Sequence, residues 1–288
     1  MDNLSYTMND RLKFRIIKNK AMKWAVILLT FLCALPLAFI LVYIIKEGIA
    51  AINWDFIIHI PKPVGESGGG VANALLGTVI IIVVATIIAV PIGILCGVYL
   101  SENKSNKFAS WVGVSVDILQ GVPSIVIGIV AYFWIVRPMG GFSALSGSIA
   151  LAIMMFPIII RSTEETLKLI PDSLKEAAFA LGMPRHKVIT KVVIPCGFSG
   201  IISGVMLSVA RIAGETAPLL FTAFGNPFVE TNLLKPMQSL PLLIFNYATS
   251  SYKDWQSLAW GASLVLLVFV LALNLITKLI TRKWKVQL

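Results

Sequence analysis

Residues 72–100 read ANALLGTVIIIVVATIIAVPIGILCGVYL, from Ala72 to Leu100 without one charged side chain. Lipid offers no partner for backbone N–H and C=O groups, so a run of about 20 apolar residues crosses a hydrocarbon core of about 30 Å only as helix. The stretch is therefore a membrane span, and the rest of the chain is organised around it. Five further stretches qualify: Trp24–Ile45, Trp111–Val136, Leu145–Ile160, Val192–Phe221 and Ser257–Ile280. The fourth in chain order, Leu145–Ile160, is short and carries Pro157.

Composition agrees with this reading. Of 288 residues, 57% are hydrophobic and 13% charged, with mean hydropathy +0.87, whereas soluble domains carry about 25% charged residues. Disordered, collagenous and disulfide-stapled classes are excluded by the apolar content, the lack of a Gly-X-Y period and a total of 3 Cys. The net charge of +10 admits a nucleic-acid surface or a membrane topology signal. Sorted by loop, the cations alternate, 18 on one side and 5 on the other, with Arg211 left inside a span. By the positive-inside rule both termini are expected in the cytoplasm. No aromatic-interleaved basic patch supports nucleic acid as a partner.

The expected architecture is all-α and polytopic, with six transmembrane helices. A basic cytoplasmic segment 1–23 precedes the first span 24–45, read as a retained anchor because its apolar run exceeds a signal peptide's. A core of five further helices fills 72–280, with a cytoplasmic loop at 162–191, and 281–288 form a cytoplasmic tail. Cys33, Cys96 and Cys196 read as small packing residues. With His59 and His186 on opposite sides, no metal site is expected.

The 162–191 loop carries a helical pattern. Asp172 or Ser173 is the expected N-cap, Glu176 suits the first turn, and Gly182 with Pro184 beyond it marks the stop. Leu174, Ala177, Ala178 and Leu181 share one face, narrow enough for another protein to approach closely, although a helix resting on its own bundle gives the same stripe.

Charge inside a span costs at least about 2.5 kcal/mol and marks a functional candidate. On the fifth span, Gly200, Gly204, Ser208, Arg211 and Glu215 are expected within an arc of about 80° at 100° per residue. Gly200 and Gly204 allow close helix approach, and Arg211 and Glu215 either satisfy each other or face a path. On the third span Asp117, Gln120, Gly121, Ser124 and Gly128 share a face, with a kink expected at Pro123. Gly93 and Gly97 after Pro91 form a further packing site. Arg161 closes the fourth span and either reaches the interface or serves the path.

Glu176-Ala177-Ala178, three residues, Gly182, nine residues, then Val192-Val193-Ile194-Pro195 resembles the EAA loop of ATP-binding-cassette importer permeases, E-A-A-x3-G-x9-I-x-L-P, with Val192 and Ile194 as conservative departures. The resemblance implies the type I importer permease architecture, with Glu176, Ala177, Ala178 and Gly182 on a coupling helix that docks on an ATPase subunit. The sequence has no G-x-x-x-x-G-K-[ST] phosphate loop, so hydrolysis, with ATP and Mg, is expected in a partner chain, and this chain has no cofactor.

Three further stretches are similar to the A-type permease subunit of phosphate-specific importers. They are Ala210-Arg211-x2-Gly214-Glu215-Thr216-Ala217-Pro218-Leu219-Leu220-Phe221-Thr222, Arg161-Ser162-Thr163-Glu164-Glu165, and Leu119-x-Gly121-Val122-Pro123-Ser124-Ile125-Val126. The similarity covers Asn73 to Trp260. It implies Arg161, Arg211, Glu215 and Thr216 on a phosphate path, with Glu215 as a charge partner; because a carboxylate beside an anion path is unfavourable unless it holds an arginine, Glu215 is expected to position Arg211 and compete with phosphate for it. It also implies a C-type permease partner in a heterodimer, two ATP-binding subunits, an external phosphate-binding protein that docks on Lys46–Val71 and Gly225–Trp255, and an inner-membrane location. A permease for another oxyanion such as sulfate or molybdate, or an ion-coupled secondary anion transporter, remains the alternative.

Overall fold

The computed structural model describes residues 2–66, 68–103 and 105–283, with side chains over 12–66, 68–103, 105–276 and 278–279. Lys104, Lys285 and most of the expected tail 281–288 lie outside the described residues.

In chain order the helices are α1 (Asp2–Ala51), α2 (Trp54–Ile58), α3 (Ala72–Glu102), α4 (Lys107–Gly121), α5 (Ser124–Ala131), α6 (Arg137–Met139), α7 (Ala144–Lys168), α8 (Asp172–Ala180), α9 (Arg185–Val188), α10 (Ile194–Ile212), α11 (Ala217–Leu220), α12 (Leu240–Ala248) and α13 (Lys253–Lys283). One-turn π segments, Tyr132–Val136 and Ile189–Val193, join α5 to α6 and α9 to α10. Among the described residues, five helices are long and apolar enough to cross a membrane, or six if the pair α4 and Ser124–Met139 counts as one span.

Several expected boundaries change, among them the start of the first span, now at Asp2, and the last span, now Lys253–Lys283. The third span is not one kinked helix, because α4 and the following helix diverge by 105°. Proline at 123 has no N–H to donate and pushes Val122 into an extended backbone (φ −71°, ψ 129°), so the helix stops and restarts. Gly128 and Ser124 therefore leave the face that carries Asp117. The fourth span runs on through Arg161 to Lys168, since Thr163 packs on Gly97 and Thr166 and Leu167 on Gly200 and Gly197, which shortens the loop to Leu169 and beyond. The fifth span ends at Ile212 and not at Phe221; Ala213–Thr216 form a turn before α11, whose Pro218 cannot continue a helix from α10.

The core is centred on α7. A Cβ on Gly93 would lie 2.7 Å from Ile159 Cγ2, and one on Gly97 would lie 2.7 Å from the Ile160 carbonyl oxygen, so α3 touches α7 through glycine. Gly204 presses on Ser162, Gly200 on Thr166 and Gly197 on Leu167, so α10 meets α7 the same way on the neighbouring face. In lipid such close approach replaces the hydrophobic effect as the source of helix association. Ile81, Ala85, Leu151, Met155, Ile159 and Ile212 fill the space between. On the far side of α13, α1 rests with Tyr43 edge-on to Trp260 and Gly48 against Leu264. Over its 50 residues α1 extends about 75 Å at 1.5 Å per residue, so segment 1–23 continues the span as helix from Asp2.

At the opposite end from α8, Asn73 Nδ2 donates to the Asn226 and Pro227 carbonyls at 2.9 and 3.0 Å, and Leu240 N–H donates to Thr78 Oγ1 at 2.8 Å. These bonds pin the 225–239 segment and the start of α12 onto α3. Replacing Gly97 by Leu should force α3 away from α7 and destabilise the helix bundle by about 2 kcal/mol or more, as overpacked cores do. A thermal melt of the detergent-purified complex checks this, and a wild-type Tm would refute the glycine contact as a packing determinant.

Candidate functional site

On α7, Arg161, Glu164, Glu165 and Lys168 cluster within about 100° of arc, opposite the side that meets α3 and α10. Because Arg161-x2-Glu164-x3-Lys168 has the i,i+3 and i,i+4 spacing of helical ion pairs, Glu164 bridges both cations at 2.5 Å from each. Its side chain is only 7% exposed. Across the gap, α4 supplies Asp117, whose two oxygens take the Arg161 Nε (2.8 Å) and NH2 (2.6 Å) side of the guanidinium. The same NH2 donates to the Gly113 carbonyl at 2.7 Å. Arg161 is thus held by two carboxylates and a carbonyl, which compensates its removal from water.

This cluster lines a cleft of about 880 Å³ together with Gln120, Ser162, Thr166, Leu207 and Arg211. A smaller cleft of about 280 Å³, lined by Ser110, Val114 and Asp117 among others, lies on the other side of the Arg161 group. Arg211 comes from α10, whose glycine register against α7 sets it near Ile158.

Arg161 and Arg211, expected on one path, thus share one cleft. Glu215 and Thr216 do not line it. The helix ends at Ile212, so Glu215 is off the arc that Gly200, Gly204, Ser208 and Arg211 share, and it approaches Arg211 Nε only to 3.9 Å. Thr216 lines a separate, mostly apolar cleft between α1, α10, α12 and α13. Asp117 and Lys168 carry more of the cation geometry than sequence reasoning assigned to them. The spacing of Glu164 and Lys168 to Arg161 was a readable signal, whereas the contact from Asp117 spans 44 residues and had none.

The loop helix α8 is built differently from its expected stripe. Pro171 stands at the N-cap, and neither Asp172 nor Ser173 makes a capping side-chain bond. Its end is a Schellman turn, with Gly182 at φ +78°, Gly182 N–H bonded to Phe179 O (2.8 Å) and Met183 N–H to Ala178 O (3.3 Å). Ala178 and Leu174 pack inward against Leu167 and Val188, while Ala177 and Leu181, on the adjoining part of the same stripe, stay exposed because no described residue covers them. Leu181 is 83% exposed. Lys175 bonds Glu102 at 2.6 Å and ties α8 to the end of α3.

On the 225–239 segment, at the end of the bundle away from α8, Glu230 accepts the backbone N–H of Asn232 foremost, then Lys235 and the Thr231 N–H, and these hold its carboxyl below the usual carboxylate range. Among the described residues no group of three His, Cys, Asp or Glu is placed to hold a metal ion.

The family model described as "binding-protein-dependent transport system inner membrane component" matches residues 89–286. The phosphate transport system permease protein PstA of Yersinia pestis is 42% identical over 86% of this chain and 85% of its own length. The protein of that name from Haemophilus influenzae is 40% identical over 94% of this chain and 96% of its own length. Among solved structures, a chain of the MetNI methionine ABC transporter in inward-facing conformations aligns with TM-score 0.65 at 18% identity, over 75% of this chain and 96% of that one. A chain of a bacterial alginate ABC transporter aligns with TM-score 0.69 at 13% identity, over 93% of this chain and 96% of that one.

Removing the Glu164 bridge by Glu164→Leu should leave Arg161 and Lys168 without their shared anion and cost about 3 kcal/mol, the range seen when one partner of a buried ion pair is deleted. Chemical or thermal denaturation of the assembled complex measures it; an unchanged midpoint would show that water, not Glu164, satisfies both cations.

Proposed function

The chain belongs to the binding-protein-dependent transport system inner membrane components, and we propose that in this family it serves as the A-type permease subunit of an ATP-driven phosphate importer. The observation that carries the reading is the single cleft in which α7 and α10 present Arg161, Lys168 and Arg211. A guanidinium offers a planar fork of donors that matches two oxygens of a tetrahedral oxyanion, and a second arginine across the cleft can take the remaining charge. The permease relatives of 40% and 42% identity are named for phosphate transport, which selects phosphate from among the oxyanions.

The chain makes no covalent step. ATP, with Mg, is bound and hydrolysed by two partner subunits, and the C-type permease supplies the other half of the pathway. An external phosphate-binding protein delivers the anion to the outer segments, where Trp54, Phe228 and Leu234 stand exposed. α8 and both termini face the cytoplasm, in accord with the loop charges. The outward face of α8, Glu176, Ala177 and Leu181, meets an ATPase subunit, and Ala178 anchors the helix from within. Movement of α8 reaches the bundle through Lys175–Glu102 on α3. With the large cleft reaching Lys168 and Leu169 at the α8 end, the conformation opens toward the ATPase side.

Uptake of labelled phosphate by the complex in proteoliposomes tests the reading, with sulfate and molybdate as competitors. Uptake of either competitor in place of phosphate would assign another oxyanion, and uptake without ATP hydrolysis would assign a secondary transporter. Arg211→Gln should lower phosphate uptake at least tenfold, the scale of one lost charge-assisted contact, with the ATPase subunits still co-purifying; normal uptake would remove Arg211 from the path. Leu181→Asp, at an exposed position, should leave the permease folded and cut co-purified ATPase roughly tenfold, as loss of an apolar interface anchor does. Undiminished co-purification would move the docking site off α8.

A further inference from the structure

The cleft as described is poorly suited to keeping an anion. Its lining sets three cations, Arg161, Lys168 and Arg211, against three carboxylates, Asp117, Glu164 and Glu165. The bidentate side of the Arg161 fork, which an oxyanion would use, is already occupied by Asp117 at 2.8 and 2.6 Å. An entering phosphate must therefore replace a carboxylate or settle for Arg211 alone.

The two carboxylates on Arg161 differ in how readily they leave. Glu164 is 7% exposed and shared with Lys168, so its departure would strand charge away from water. Asp117 is 61% exposed, has no second cation among the described residues, and can take up water when it leaves. It is reached from the large cleft and from the small one behind it. Asp117 also sits on a separate helix, and α4 continues into α5 only through the Val122-Pro123 break, across which the axes diverge by 105°. A rigid continuation would resist movement at Asp117, whereas this break lets α4 swing without unwinding.

We propose that Asp117 is the exchangeable counter-anion of Arg161: phosphate takes the bidentate side of the guanidinium as Asp117 leaves, α4 parts from α7, and the return of Asp117 expels the anion. Asp117 is a positioning residue in this scheme, acting on cargo through Arg161. The scheme rests on the reading of the cleft as the anion path. It gives that path a release device, since a cleft with both arginines permanently free would hold phosphate too tightly for turnover.

The test compares the assembled complex carrying wild-type, Asp117→Asn or Asp117→Glu permease. Binding of inorganic phosphate is measured by equilibrium dialysis without the binding protein, and initial uptake is measured in proteoliposomes with binding protein and ATP. Asn keeps the shape and loses the charge, so it should bind phosphate roughly fivefold more tightly, the factor expected for a half-exposed ion pair, while maximal uptake falls. Glu should return both values toward wild type. Tighter binding with slower transport is a combination that mere damage to the bundle does not produce. Unchanged values for Asn, or weaker binding together with slower uptake, would overturn the proposal.

Should the Asn variant not assemble, spin labels at Val114→Cys on α4 and Leu169→Cys beyond α7, with Cys33, Cys96 and Cys196 changed to Ser, read the same event in the presence of native Asp117. The label distance should lengthen on addition of saturating phosphate, and an unchanged distance would refute the exchange. If wild type carries sulfate or molybdate and not phosphate, the phosphate reading fails and the three forms are compared with that anion. If wild type carries phosphate and Asn matches it throughout, the Asp117 proposal fails alone.

Discussion

Close backbone approach at α7 is the constraint from which the other features follow. In lipid, apolar side chains gain nothing by leaving their surroundings for one another, so helices associate where small residues let them touch along their length. Gly93 and Gly97 bring α3 onto α7, and Gly197, Gly200 and Gly204 bring α10 onto the adjoining face. Those contacts set the register of both neighbours against α7. The register in turn places Arg211 beside the cleft and leaves the opposite face of α7 for its charged residues. A side chain at any of these glycines would shift α10 or α3 by ångströms, and the distance between the two arginines with it.

Charge on that free face is tolerated because it is mutually compensated. Arg161 alone in such surroundings would be costly, but Glu164, Asp117 and the Gly113 carbonyl share its donors. The same compensation makes the cleft nearly neutral, so its affinity for an anion depends on which carboxylates can step aside. The two halves of the cluster differ in kind. Glu164 and Lys168 belong to α7 and move with it, whereas Asp117 comes from α4, which the break at Val122-Pro123 separates from α5. In the proposed exchange, anion occupancy and helix position are coupled at that contact.

At the α8 end, one helix does two jobs because the bundle covers only part of its apolar stripe. Leu174 and Ala178 secure it to the bundle, and Ala177 and Leu181 are left for a partner. The stripe of four read from periodicity is therefore split between the two. A 3.6-residue period locates an apolar face but does not say how much of it a neighbour covers.

Span number, the charge alternation of the loops and the EAA spacing were all legible from Ala72–Leu100, the Lys and Arg positions and Glu176–Pro195, because hydropathy, charge and local spacing are properties of short segments. That Arg161 and Arg211 line one cleft matches an expectation that rested on family resemblance, and the Glu164 and Lys168 pairing lay within one helix's own period. Helix ends were less legible. Thr163–Lys168 continue α7 because Thr163 packs on α3 and Thr166 and Leu167 on α10, and Glu215 leaves the arc of Arg211 because the chain turns at Ala213–Thr216. The sequence by itself determined a polytopic helical permease with a loop helix on one side. Only the tertiary structure decided that Asp117 holds Arg161, since that contact joins residues 44 positions apart across a 105° break, and no local pattern encodes where two such segments meet.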